Sequence, residues 1–186
     1  MRIRSVLTLC ALLCAAAVSG QAEMAIPTAP AEMKQWDFLV GTWKGAGTFL
    51  GMGSELPFTT AMTARRAVEG HYLLIEEKVS AVMPGATEAS VVHEGLVLVS
   101  YDAAAKVFRS KAYETGGIVR EAEVKPGEGG KLVETDKPSP FSGMGQARFT
   151  FGPTGPDSWE TLAEQSDDGA TWTKVFDCKY TRASAK

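Results

Sequence analysis

Three ionisable side chains interrupt the apolar faces of predicted β-strands. Glu77 falls in an alternating run of aliphatic residues, and Arg66 and His93 hold inward positions on the strands before and after it. A buried carboxylate is costly unless it is paired or hydrated. The three residues therefore predict an interior polar cluster that orients a ligand or exchanges protons. In the alternative interpretation, one β-bulge shifts the phase and leaves Glu77 and Arg66 in solvent.

Aromatic side chains on neighbouring strands are the candidate apolar wall of the same interior. Tyr72, Phe108 and Phe176 are predicted to line a ligand site with the polar cluster. No serine-nucleophile motif and no zinc-ligand spacing occurs in the sequence, so it predicts neither a catalytic residue nor a metal site. Cys178 alternates with aromatic residues, which indicates a buried small side chain rather than a nucleophile.

These residues must be positioned by a chain that is mainly β-structure. One short helix is predicted over residues 30–39, where Met33, Trp36 and Leu39 recur at a three-residue step. About ten strands follow at hairpin spacing, over residues 42–50, 58–68, 71–82, 90–101, 106–114, 117–124, 131–135, 146–151, 159–165 and 171–181. Short strands joined by tight turns indicate an antiparallel meander, as a barrel or a sandwich. Closure removes both sheet edges, so we predict an up-and-down barrel.

The hairpin at Glu69-Gly70 sets the predicted register of Glu77. A two-residue turn there pairs Val68 with His71 and Met62 with Glu77. The apolar positions of both strands then share one face, with Val68 among them. This match supports the inward orientation of Glu77.

The first strand carries the residues to which we assign structural roles. Gly41 ends the helix, and Gly45 and Gly47 leave a face without side chains where the strand can bend or another element can approach. Trp43 is predicted to plug one end of the barrel, with Arg182 stacked on it as a cation–π lid.

The ends of the chain predict export. Residues 1–22 have the basic start, apolar run and small-residue end of a signal peptide, followed by a tether over 23–29 and one domain over 30–183. The expected location is periplasmic or extracellular, with no transmembrane segment once the signal is removed. Loss of Arg2 and Arg4 changes the formal charge from −3 to −5, which argues against nucleic acid as a partner. The oligomeric state stays open.

The segment Trp36-Asp37-Phe38-Leu39-Val40-Gly41-Thr42-Trp43-Lys44-Gly45-Ala46-Gly47 resembles the opening of lipocalin-like barrels. It is most similar to an uncharacterised bacterial family distantly related to nitrobindin-type heme barrels. Residues 95–108 and 166–182 resemble that family's central and last hairpins, so the resemblance covers about residues 34–182. It implies a barrel with an interior cavity and no established activity.

The resemblance to nitrobindin-type barrels suggests heme as the cofactor to consider. Nitrobindin-type barrels hold iron through a late histidine, whereas this chain has only His71 and His93 and offers Cys178, Lys179 and Tyr180 in the matching region. We therefore expect no cofactor, with heme disfavoured.

The leading expectation is non-covalent binding of a small, mostly apolar molecule inside the barrel. Two other classes stay open. One is an enzyme, either a nitrobindin-like heme protein or an acid–base isomerase using Glu77 and His93. The other is a structural or interaction barrel with a filled core.

Overall fold

Ten antiparallel strands run in sequence order around a closed barrel. The computed structural model describes residues 27–51, 54–136 and 145–183; the predicted signal segment 1–22 lies outside these ranges. The strands are β1 (Gly41–Gly51), β2 (Ser54–Ala67), β3 (Tyr72–Ala81), β4 (Ser90–Asp102), β5 (Val107–Glu114), β6 (Ile118–Pro126), β7 (Leu132–Asp136), β8 (Gln146–Gly155), β9 (Ser158–Ser166) and β10 (Thr173–Arg182). Each strand pairs with its sequence neighbours, and β1 pairs with β10 to close the barrel. The predicted lipocalin-like, up-and-down barrel is confirmed.

A 3₁₀ helix over Ala31–Leu39 fills one end of the barrel. Side chains three residues apart eclipse one another in a 3₁₀ helix, so the three-residue step places Met33, Trp36 and Leu39 on one stripe. All three are buried. Trp36 contacts the rings of Phe108 and Phe151 at centroid distances of 5.5 Å. We call this the closed end, and the opposite end the open end.

The contact between the first and last strands at the closed end is the predicted cation–π pair. The guanidinium of Arg182 lies 4.2 Å from the Trp43 ring centroid. It also donates to the Val40 carbonyl at 3.0 Å and to Asp157 at 2.7 Å. Gly41 is required beneath it, because a Cβ there would lie 2.3 Å from Arg182 Nη1.

The hairpin between β2 and β3 has the predicted register and a longer turn. Met62 pairs with Glu77 as expected, but the last pair is Ala67 with Tyr72. The prediction that Val68 shares the inner face is wrong: Val68 has φ 48° and is 68% exposed. A left-handed backbone conformation takes its side chain out of the sheet.

A β-bulge also occurs, between β3 and β4, and it lies beyond Glu77. Val79 pairs with His93, whereas Ser80 pairs with Val91. The extra residue reverses the phase only towards the open end. Glu77 and His93 therefore keep their inward orientation, while Val91 turns outward and is exposed.

Candidate functional site

The barrel interior divides into a filled half and a half that water can reach. At the closed end the inward side chains are almost completely buried and form one hydrophobic cluster around Trp36 and Trp43. Towards the open end, inward side chains such as Ile75, Val97 and Phe149 are only half-buried. We call this partly exposed second half of the interior the lumen.

Glu77 lies in the lumen beside β2 and β10. Its Oε1 accepts hydrogen bonds from Thr60 Oγ1 at 2.7 Å and from Tyr180 Oη at 2.8 Å. Burial, together with the nearby Glu77 carboxylate, holds the pKa of Tyr180 well above its ordinary value. The phenol is therefore a fixed donor, and Glu77 Oε2 has no partner among the described residues.

A second polar group, which we call the Arg120 cluster, consists of Arg120, Glu114, Glu134 and Asp136. Arg120 Nε donates to Glu114 at 2.7 Å, and Nη1 donates to Asp136 Oδ2. Glu134 is more distant, with Oε1 3.9 Å from Arg120 Nη1. Asp136 Oδ1 is buried and has no hydrogen-bond partner among the described residues. One guanidinium thus serves three carboxylates.

The shared guanidinium explains why the pKa shifts in the cluster differ between partners. Burial opposes the charge of Arg120, but the attraction of its three carboxylates is stronger and raises its pKa. Burial raises the pKa of Glu134 to about 7, against the attraction of Arg120. Burial likewise raises the pKa of Asp136. All three carboxylates stabilise the charged form of Arg120. Glu134 is the most distant of them, and its attraction to Arg120 is too weak to offset the loss of hydration of its own charged form.

Aromatic rings line the lumen between the two polar groups. Phe176 contacts Phe58 at 5.9 Å and Phe149 at 6.0 Å, and Arg120 lies 5.0 Å from the Phe149 centroid. Ala163 on β9 pairs with both Phe149 and Phe176, so its small side chain lets these two rings meet. Gly47 on β1 pairs with Phe58 and leaves space beside that ring.

The predicted cluster of Arg66, Glu77 and His93 does not form as a unit. Arg66 shares the inward phase, but it lies four residues beyond Met62, the partner of Glu77, which is roughly 13 Å along a strand. At the closed end its Nη2 donates to the Met33 carbonyl and to Asp37, each at 2.5 Å. Arg66 therefore does not join Glu77, and its contacts hold the 3₁₀ helix against β2.

Two of the three predicted aromatic lining residues also lie elsewhere. Tyr72 has the opposite phase to Leu73 on β3, so it lies on the outer face of the sheet. Phe108 faces inward but is buried in the closed-end cluster against Trp36. Phe176 is the predicted ring that does line the lumen.

His93 reaches the lumen on the open side of Glu77. Its Nε2 lies 3.1 Å from the position that a Cβ on Gly95 would occupy, and Gly95 is the β4 partner of Glu77. The imidazole thus folds across Gly95 towards Glu77. Within the described residues, no hydrogen bond joins the two side chains.

The remaining candidate iron ligands are poorly suited to that role. Burial raises the pKa of Cys178 to about 12, so its sulfur is a thiol at neutral pH. The phenol of Tyr180 donates to Glu77, and His71 Nε2 lies 2.8 Å from the Pro27 carbonyl oxygen at the closed end. The matching region of the chain therefore presents no free anionic ligand to iron. Among the described residues, no group of three side chains is arranged to hold a metal ion.

The Arg120 cluster was not predicted from the sequence, although its signal is present there. Glu114 follows Ser110 and Ala112 at alternate positions, and Asp136 follows Leu132 and Glu134 in the same way. β7 is only five residues long, so three inward positions carry its whole pattern. Two acidic residues in three inward positions are typical of a solvent-exposed strand.

A second concavity lies outside the barrel. An open groove of about 900 Å³ runs across β1 to β5, mostly along outward-facing side chains such as Ala61, Thr63, Leu96 and Tyr113. Its lining also includes the inward positions Met62, Glu77 and Gly95. Its rim carries the exposed Lys78–Glu94 ion pair.

Comparison with known proteins places the fold among ten-stranded, lipocalin-like barrels. The structure of an S-type phycobiliprotein lyase, CPES, from Guillardia theta is similar with a TM-score of 0.58 at 9% identity, over 84% of this chain and 95% of that one. Rv2717c from M. tuberculosis is similar with a TM-score of 0.60 at 10% identity, over 84% of this chain and 99% of that one. No family model matches the chain, and no curated protein matches it. Within the described ranges, none of the helices has the length and apolarity needed to cross a bilayer.

Proposed function

We propose that the protein is exported and binds a small, mostly apolar organic molecule in the barrel lumen. The observation that carries the proposal is the change in packing along the barrel axis. The closed end is filled by Trp36, Trp43 and their neighbours, whereas Val97, Phe149 and Phe176 remain half-buried. Ligand sites combine such an apolar wall with a few fixed polar groups.

The polar groups of the lumen supply orientation. Thr60 and Tyr180 fix the carboxylate of Glu77, and Arg120 fixes Glu114 and Asp136. Side chains held in this way are pre-organised for a ligand, which reduces the ordering cost of binding. The similarity to a phycobiliprotein lyase supports the proposal at the level of the fold alone, because barrels of this kind can enclose a ligand.

The proposal is tested with the neutral apolar fluorophore N-phenyl-1-naphthylamine and two matched variants. Val97 faces the lumen and the adjacent Leu96, 38% exposed, faces the outer groove. We expect Val97→Phe to weaken probe binding at least about tenfold by occupying the lumen, and Leu96→Phe to leave it unchanged. If only Leu96→Phe weakens probe binding, the probe binds in the outer groove and not in the lumen. A wild-type protein that binds no probe would favour a barrel without a ligand.

Heme chemistry and acid–base isomerisation are not favoured by any specific contact. The last strand has no free iron ligand, and Glu77 Oε1 is already occupied by two donors. Titration with hemin tests for heme binding. A Soret band shifted by protein ligation would overturn our view that heme is not the cofactor.

A further inference from the structure

Exposed apolar side chains are concentrated on one side of the barrel. Among the described residues ten large hydrophobic side chains are exposed, and six of these lie on β4, β5 and β6. On the outer face Leu96 pairs with Tyr113, which in turn pairs with Val119, so these three form one unbroken row. Leu98, the next outward residue of β4, pairs with Leu74 and extends the apolar surface towards the closed end. We call these five residues the outer patch.

The barrel itself does not require this patch. The outer face of the opposite wall, on β8, β9 and β10, carries ion pairs instead, such as Arg148 with Glu164 and Lys174 with Asp177. The three residues of the apolar row are between 38% and 48% exposed, so a large part of each side chain is in water. A contiguous apolar patch with a polar border marks a surface that contacts another molecule.

The charged side chains that border the outer patch balance one another. They are the cations Arg65, Lys78 and Lys111 and the anions Glu76, Glu94 and Glu121. Such a border offers no net field to a strongly acidic or a strongly basic partner. The partner must instead match an apolar centre bordered by both signs of charge, and a second copy of this chain has that surface.

The positions of two of these charges suit a two-fold contact. Glu94 lies two residues from Leu96 towards the open end, and Lys111 lies two residues from Tyr113 towards the closed end. A two-fold axis that lies in the contact plane and crosses the strands at Leu96 and Tyr113 exchanges the two sides of the row. Glu94 of each copy then lies on the side where the other copy carries Lys111, while Leu96 and Tyr113 meet their own counterparts. In such an isologous contact every pairing occurs twice.

From these observations we propose that two copies of the chain form a dimer through the outer patch, with Glu94 of each copy facing Lys111 of the other. The closed barrel has no free sheet edge, so the copies associate face to face and not by strand pairing. The outer patch covers part of one wall, and interfaces of this small size give weak dimers, with a Kd of about 1–100 µM. The dimer does not depend on the lumen site.

Sedimentation velocity of the wild-type protein, at concentrations from about 1 to 500 µM, should show a shift from monomer to dimer. Val119→Ser should raise the dimer Kd at least about fivefold, because each copy loses an apolar contact. Val68→Ser is the matched control and should leave the Kd unchanged. Val68 is 68% exposed but lies in the turn after β2, outside the outer patch.

Charge reversal tests the two-fold arrangement. Glu94→Lys and Lys111→Glu should each raise the Kd about tenfold, because each places like charges in contact twice, whereas the double variant should return to within about threefold of the wild type. Lys174→Glu is the matched control on the opposite wall and should have no effect. It makes the same change of charge at a lysine that is 43% exposed, against 44% for Lys111. Circular dichroism and thermal unfolding establish that each variant is folded.

Each outcome supports or overturns the dimer. A wild-type protein that stays monomeric over the whole range overturns it and leaves the outer patch to a partner of another kind. A dimer that Val119→Ser leaves intact overturns it as well, because the contact then lies elsewhere. If both single charge reversals weaken the dimer and the double variant does not restore it, Glu94 and Lys111 do not face each other and the two-fold contact is wrong. Probe binding in the lumen is measured separately, so these results leave the proposed function standing.

Discussion

Replacing Glu134 by glutamine should remove a pH-dependent loss of stability from the barrel. In the folded protein, burial raises the pKa of Glu134 to about 7 from an ordinary value of 4.5. Between these two values the folded state keeps a proton that the unfolded state has lost. The free energy of unfolding therefore falls as pH rises through this window, because the folded state binds more protons.

The magnitude follows from the size of the shift. One pKa unit corresponds to about 1.4 kcal/mol, so a change from 4.5 to about 7 corresponds to roughly 3 kcal/mol. This stabilisation is fully present below pH 4.5 and is lost above pH 7. Glutamine keeps a group that can hydrogen-bond to Ser110 and carries no charge at any pH. The stability of Glu134→Gln relative to the wild type should therefore rise by roughly 3 kcal/mol between pH 4.5 and pH 8.

Urea unfolding at pH 5, 6, 7 and 8, followed by tryptophan fluorescence, measures the difference. Glu123→Gln is the matched control on the outer face of β6. Its hydrogen bond from Arg109 lowers the pKa of Glu123 below the ordinary value, so its titration lies outside this pH range. Asp136 shifts in the same direction as Glu134, which is why the comparison uses the difference between variant and wild type. Parallel pH profiles for Glu134→Gln and the wild type would refute the reasoning, because they would show that Glu134 does not titrate in this window.

Three further predictions concern stability. Tyr180→Phe removes one of two donors to Glu77 and should cost about 1–2 kcal/mol in urea unfolding, whereas no cost would show that solvent replaces the phenol. Arg182→Lys loses the planar stacking on the indole and one of the fixed donors, so it should lower stability by about 1 kcal/mol, and an unchanged Tm would contradict the lid assignment. Gly47→Ala should cost about 3 kcal/mol and more than Gly45→Ala. The added Cβ at Gly47 meets a backbone carbonyl at 2.1 Å, while at Gly45 it meets side chains.

Much of the fold was predictable because its signals are local. Strand alternation, turn residues and the matched apolar faces of β2 and β3 gave the barrel and the pairing of Met62 with Glu77. The length of the turn after Ala67 was not predictable in this way, because Val68 and Glu69 both adopt a left-handed conformation that their residue types disfavour.

The site was less predictable than the fold, because it depends on how far along each strand a side chain lies. The predicted inward orientation was correct for both Arg66 and Glu77. Their positions along the barrel axis, however, differ by four residues. The Arg120 cluster joins three consecutive strands whose inward positions each contain polar residues. β7 alone has the pattern of a solvent-exposed strand, and only its pairing beside β6 and β5 shows a buried network.

The pairing of the first strand with the last determines how this chain can fold. The Arg182 guanidinium contacts the Val40 carbonyl 142 positions away in sequence, so closing the barrel requires contacts between segments that are far apart in the chain. Folding that depends on such distant pairings is slow. Until β10 arrives, β1 and β9 both present unpaired edges that favour association with other chains. The final ten residues of the barrel thus protect the newly made chain from aggregation as well as completing the wall.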